Sequence, residues 1–332
     1  MIRIDEQRIF DVIRERKPRV VAFNGPEGIM RKIQEVADKV NNEFNIPAYV
    51  IGDTCYGSCD INLHAAEMVG ADILFHIGHS ISMNEFGDKV VFVDAFDDIG
   101  FDSVTEKCAT ELKQYKTLSI VTASQHLHQV QMVKEILENH GFTVVIGKGK
   151  GQLNDGQVFG CEFYPASEVK EIADAYVFLG QSSFHAAGVM LSTGKPTFIL
   201  DPYFDEIRDI TKFAIDLQKK SILSIYKALD AKTIGLIVGL KEGQFMLNRV
   251  LELKKELEKH GKKVQLIALT EVTNDRLMVF NNIDAFIQVA CPRISIDNEF
   301  TRPVLSVPQA NALIRLLNKE SMDDFLQIPH WL

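Results

Sequence analysis

The chain repeats one plan three times, and any fold it adopts must accommodate that repetition. Residues 18–53, "PRVVAFNGPEGIMRKIQEVADKVNNEFNIPAYVIGD", read as strand, turn, helix, strand. Residues 116–148, "KTLSIVTASQHLHQVQMVKEILENHGFTVVIGK", repeat that order, with Gly141 placed as a C-terminal helix cap. Residues 231–270 repeat it again, with Gly261 in the same capping role and Val250, Leu253 and Leu257 at helical spacing. Each unit then runs into a further apolar strand: "GADILFHIGHS" (70–80), "IADAYVFLGQS" (172–182) and "NIDAFIQVACP" (282–292). Aligned on their Ala–Asp or Asp–Ala pairs, these place Gly78, Gly180 and Ala290 at one position, followed by His79, Gln181 and Cys291. A period near 100 residues is too long for a solenoid. The economical reading is an α/β fold of three related small α/β domains with mainly parallel sheets, arranged pseudo-threefold around a common centre. The expected boundaries are 1–104, 105–212 and 213–332, in line with the 332-residue length.

Ligands bind at the carboxyl ends of parallel strands in open α/β sheets, so the loops that converge there are where chemistry is expected. The cysteines fall in those loops. Cys59 precedes Gly78 by 19 residues, and Cys161 precedes Gly180 by the same 19. The third unit has no cysteine at that place but carries Cys291 at the end of its last apolar strand. One cysteine per repeat suits three thiolates meeting at the centre, as in an iron–sulfur cluster with one iron left open for a ligand. Zinc held by three cysteines and a histidine (His76, His79 or His185) is the competing assignment. Three buried thiols acting as small hydrophobes is the plain alternative. Cys55 and Cys108 have no counterparts in the other repeats; Cys55 reads as a bystander near the site and Cys108 as a helix core residue.

Other motifs carry less. "GPEGIMRK" (25–32) lacks the terminal Gly-Lys-Ser/Thr of a phosphate loop, and no Gly-x-Ser-x-Gly elbow surrounds Ser80, Ser182 or Ser183. Polar strand ends such as "GHS" and "GQSSFH" more often offer amides and hydroxyls to an anionic or zwitterionic ligand. In "CPRISID", Arg293 suits a carboxylate in bidentate fashion, or equally an ion pair with Asp297. Five cysteines, an odd number, do not form a disulfide framework. No apolar run reaches the roughly 18–20 residues of a membrane span, and the alternating N-terminus lacks a secretory signal. A cytoplasmic protein is expected, without a broad nucleic-acid surface given the net charge of −9.

Five stretches together carry a family resemblance: "YGSCD" (56–60), "GADILFHIGHS", "FLGQSSFHAAGVMLSTGKPTFILDPY" (178–203), "GLIVGLKEGQ" (235–244) and "QVACPRISID" (288–297). In this order they resemble the archaeal diphthamide synthase family, whose 2-(3-amino-3-carboxypropyl)histidine synthase activity opens diphthamide formation. The resemblance implies a [4Fe–4S] cluster held by Cys59, Cys161 and Cys291. It further implies S-adenosylmethionine as cosubstrate, cleaved between sulfur and the methionine γ-carbon in a radical mechanism. The 3-amino-3-carboxypropyl group would pass to C2 of a histidine imidazole on translation elongation factor 2. A homodimer and an electron donor that the sequence does not identify complete the expectation. The cosubstrate contacts it suggests are His79, Ser80, Gln181 and Ser182, with His185, Gln244, Arg293 and Asp297. "GQSSFH" departs from the "GDGRFH" type of loop in some relatives, so within it only Phe184 and His185 carry over. Two rivals stand beside this reading: a [4Fe–4S] condensing dehydratase similar to quinolinate synthase, and a non-catalytic iron–sulfur partner subunit.

Overall fold

The computed structural model describes residues 2–79, 84–151, 153–297 and 299–332. Three sheets, mainly parallel, succeed one another along the chain. The first runs Ala48–Val50, Val21–Asn24, Ile73–Ile77, Val90–Val93 across the sheet. The third runs Lys263–Leu269, Thr233–Gly239, Ala285–Val289, Val304–Leu305. The second runs Thr143–Val145, Thr117–Thr122, Ala175–Leu179, Thr197–Asp201, then adds antiparallel Glu206–Asp209 at its edge. Numbered within each repeat, the order is 2-1-3-4 in all three, so the sequence repeat is a repeat of topology. A small antiparallel pair, Ile2–Ile4 with Ala95–Asp97, borders the first unit.

The inner strands Ile73–Ile77, Ala175–Leu179 and Ala285–Val289 are buried at every residue, as expected for parallel strands covered on both faces. Gly141 and Gly261 lie just past their helices with φ of +89° and +74°, the left-handed stop their placement predicts. In the first repeat Asn45 fills that role with φ +53°. Gly78 and Gly180 also have positive φ, and the aligned Ala290 does not; the third repeat therefore leaves its strand along a different path, straight into Cys291. The second and third sheets share one continuous apolar core, while the first has its own. Helix Thr211–Leu229 joins those two units and packs against helices Ser183–Thr193 and Val307–Leu317. Among the described residues no helix is long and apolar enough to cross a membrane.

The repeated aspartates have a structural task. One carboxylate oxygen of Asp72 accepts the backbone N–H groups of Arg19 and Val20 (2.7 and 3.3 Å). Asp174 does the same for Lys116 and Thr117 (2.9 and 2.8 Å), and Asp284 for Lys232 and Thr233 (2.9 and 2.8 Å). These bonds pin the entry of each central strand, opposite the end where the cysteines lie, and hold all three carboxyls below their ordinary value. A depressed native pKa favours folding above the unfolded value of about 3.9 and loses that contribution as pH falls through the native value. The triple variant Asp72→Asn/Asp174→Asn/Asp284→Asn is expected to melt below the parent at pH 7. The gap should narrow in scans taken at progressively more acid pH; a gap independent of pH would refute this role.

Candidate cluster site at three strand ends

Cys59 lies between strand Ala48–Val50 and helix Leu63–Met68, and Cys161 between strand Thr143–Val145 and helix Tyr164–Glu168. Cys291 immediately precedes helix Pro292–Asp297, two residues past Val289. All three follow the carboxyl end of a parallel strand. The three lie within electrostatic reach of one another: burial first, and then Cys59 and Cys291, push Cys161 well above its ordinary pKa. Cys291 is raised to about 11 by burial and by Cys59. Cys59 is raised by burial, against the opposing effect of Gln244 Nε2, which donates to its sulfur at 3.5 Å.

Each cysteine is held by a different device. The Cys59 loop docks onto the third repeat: Gly243 N–H donates to the Cys59 carbonyl at 3.1 Å. A Cβ on Gly243 would stand 2.5 Å from Cys59 Cα, so only glycine allows this approach. Beside it, Lys241 Nζ bonds Asp60 at 2.6 Å and Glu271 at 2.7 Å, and both carboxylates keep the ammonium charged despite its burial. The Cys161 loop is braced by the chain's last residues. Trp331 N–H donates to the Cys161 carbonyl (3.0 Å), His330 pairs with Glu162 (2.6 Å), and the Trp331 and Phe163 rings pack at 4.8 Å. Cys291 is set by the buried Gln288. Its Oε1 accepts from Ala290 N and Cys291 N at 3.0 Å each, and its Nε2 donates to the Cys291 carbonyl at 2.7 Å.

The other expected contacts divide. Arg293 is close enough to Cys291 and to His185 for its charge to be felt at both, and His79 is felt at His185. Gln244, Arg293, His185 and His79 therefore share the neighbourhood of the thiols. Of the two alternatives for Arg293 the structure shows the ion pair, with Asp297 at 2.7 Å, and the guanidinium also lies 4.7 Å over the Phe184 ring. Ser182 caps helix Ser183–Thr193 and bonds His185 Nδ1 at 2.6 Å. Gln181 is engaged elsewhere, donating to Asp201 at 3.1 and 3.2 Å. Ser80 lies outside the described residues. Cys108 is buried in the core beneath the second sheet. Sequence reasoning missed Asn24, Asp60, Lys241, Gly243 and Gln288; Lys241 and Gly243 stand inside the quoted "GLKEGQ" stretch, and their partner loop lies some 180 residues away. Among the described residues a second ligand-like group, Cys55, His76 and His79, has its donor atoms within 4.8 Å of one another.

The model of the diphthamide synthesis protein family matches residues 25–325 of the chain. The chain belongs to the diphthamide synthesis protein family. A Pyrococcus horikoshii member named 2-(3-amino-3-carboxypropyl)histidine synthase is 33% identical over 93% of this chain and 90% of its own. Subunit 1 of the enzyme of that name from Caenorhabditis elegans is 31% identical over 88% of this chain and 75% of its own. The crystal structure of Dph2 from P. horikoshii with a 4Fe-4S cluster superposes with a TM-score of 0.86 at 31% identity, covering 99% of this chain and 96% of that one. The diphthamide family fold is thus the one described above. Three cysteines, one from each repeat and each within electrostatic reach of the others, are of the residue type that iron–sulfur clusters take.

Proposed function

We propose that this chain transfers the 3-amino-3-carboxypropyl group of S-adenosylmethionine to C2 of a histidine imidazole on translation elongation factor 2. What supports the reading is the electrostatic proximity of Cys59, Cys161 and Cys291 in a chain so similar to a relative solved with a 4Fe-4S cluster. Cys59, Cys161 and Cys291 would hold such a cluster. When bound, it supplies the electron that breaks the sulfur–γ-carbon bond of S-adenosylmethionine, leaving methylthioadenosine and a 3-amino-3-carboxypropyl radical for addition to the imidazole.

The chain's own residues bind and orient. Gln244 donates to the Cys59 sulfur and so favours its thiolate form. Arg293, fixed by Asp297 and by stacking on Phe184, offers guanidinium N–H groups to the cosubstrate's carboxylate. Such fixed contacts select which carbon of the sulfonium faces the reductant, and alignment decides which bond breaks. A homodimer working in the cytoplasm, with an external electron donor, completes the proposal. Anaerobic incubation of the reduced, cluster-loaded protein with S-adenosylmethionine is expected to release methylthioadenosine. Its absence from a fully loaded and reduced sample would reject the reading.

A further inference from the structure

Asn24 and His76 are register partners at the carboxyl ends of adjacent strands in the first sheet, and both are fully buried. Asn24 Nδ2 lies 2.6 Å from the Ile61 carbonyl, in the Cys59 loop. A carbonyl only accepts, so the amide nitrogen must face it and Oδ1 must face His76. His76 Nδ1 is 2.9 Å from that oxygen and therefore carries the proton. In a neutral ring Nε2 is then bare, and it lies 2.9 Å from His79 Nδ1, which must donate to it. Burial keeps both rings neutral, with His76 well below its ordinary pKa and His79 at about 4. One backbone carbonyl thus sets two histidine tautomers in series. His79 occupies the repeat position that Cys291 holds in the third unit, and it lies within electrostatic reach of His185, as Arg293 does.

We propose that Asn24 and His76 are positioning residues that hold His79 as its Nδ1–H tautomer, leaving His79 Nε2 as a bare acceptor for an N–H group of a ligand bound beside the three thiols. The proposal rests on the function proposed above only for the identity of that N–H: the ammonium of S-adenosylmethionine or the imidazole N–H of the target histidine. Cys55 belongs to the supporting wall: its sulfur lies 3.7 Å from the Gly57 carbonyl and 3.9 Å from His79 Nδ1, where it accepts from the same N–H that faces His76.

The test uses the full chain labelled with [15N]histidine, the His79 signals being identified by their loss in His79→Leu. Two-bond proton–nitrogen spectra near pH 7 should show His79 protonated at Nδ1 and bare at Nε2. Asn24→Leu should turn this into a tautomer mixture, while Asn24→Asp, whose carboxylate still accepts from His76, should retain it. Finding His79 protonated at Nε2 in the parent would overturn the proposal, as would stoichiometric zinc that disappears in His76→Gln. These readouts do not depend on methylthioadenosine release, so they separate this inference from the proposed reaction. In equilibrium dialysis, His79→Leu weakening S-adenosylmethionine binding about tenfold or more assigns the N–H to the ammonium. Unchanged dialysis with a raised KM for elongation factor 2 assigns it to the imidazole. If neither moves, the acceptor role is wrong.

Discussion

Replacing Cys161 by serine is expected to abolish both the brown cluster chromophore and methylthioadenosine release, and Cys59→Ser and Cys291→Ser are expected to do the same. A hydroxyl does not replace a thiolate for iron in such a site, and no fourth cysteine can step in. Cys108 is buried in a helix of a different core, and the Cys55 sulfur is turned to the Gly57 carbonyl (3.7 Å) and to His79 Nδ1 (3.9 Å). Loss of an outer-shell partner of a metal ligand costs roughly 10–100-fold in affinity or activity, so loss of a ligand itself should exceed about 100-fold. Cys55→Ser is the matched control, with absorbance and turnover expected near the parent's. Iron and sulfide content, the visible spectrum and methylthioadenosine release together check the series. A serine variant at any of the three positions with parental iron content would dismiss the ligand assignment.

How much of this was legible in the sequence depended on how local each signal is. The repeats were readable because strand and helix periodicity, the capping glycines and the aligned aspartates are set within short windows, and the structure returns one strand order three times. Equal spacing singled out Cys59 and Cys161, since in both repeats a short helix and the inner strand follow the cysteine before the glycine, although the loops ahead of them (51–62 and 146–163) differ in length. The residues that hold those cysteines escaped because their partners are remote in sequence. Trp331 reaches back to Cys161, and Lys241 reaches across to Asp60. Gln288 looks like any strand residue until its side chain is seen folded onto the amides of the next turn. Gln181, one of the cosubstrate contacts the resemblance suggests, has a partner the sequence did not show: Asp201, from the neighbouring strand, accepts from its amide. Repeat position fixes where a Cα stands, whereas the direction of a long polar side chain follows the nearest charge.

Lys241→Met is expected to cost about 3 kcal/mol of stability and to loosen the Cys59 loop. The side chains of Lys241 and Asp60 are only 8% and 2% exposed, so truncating the cation leaves Asp60 buried without its counter-charge. Breaking a buried pair from one side costs roughly 3–5 kcal/mol, most of it the penalty for the abandoned charge. The lower end applies because Glu271, the second carboxylate on Lys241, is 39% exposed and rehydrates readily. Removing both buried partners, in Lys241→Met/Asp60→Leu, should recover much of the loss, since replacing a whole buried pair by apolar side chains is often neutral. Equilibrium denaturation of the four proteins of this cycle yields the coupling. The link to the site is read separately from the rate at which Cys59 reacts with a thiol reagent in cluster-free protein. Asp60 follows Cys59 directly, and Gly243 and Gln244, which bond Cys59, lie two and three residues past Lys241. The ion pair and the ligand loop therefore should let go together. A single variant that loses less than about 1 kcal/mol, the scale of an exposed pair, with Cys59 no more reactive than in the parent, would show that the Gly243 and Gln244 contacts dock the first repeat onto the third without the ion pair.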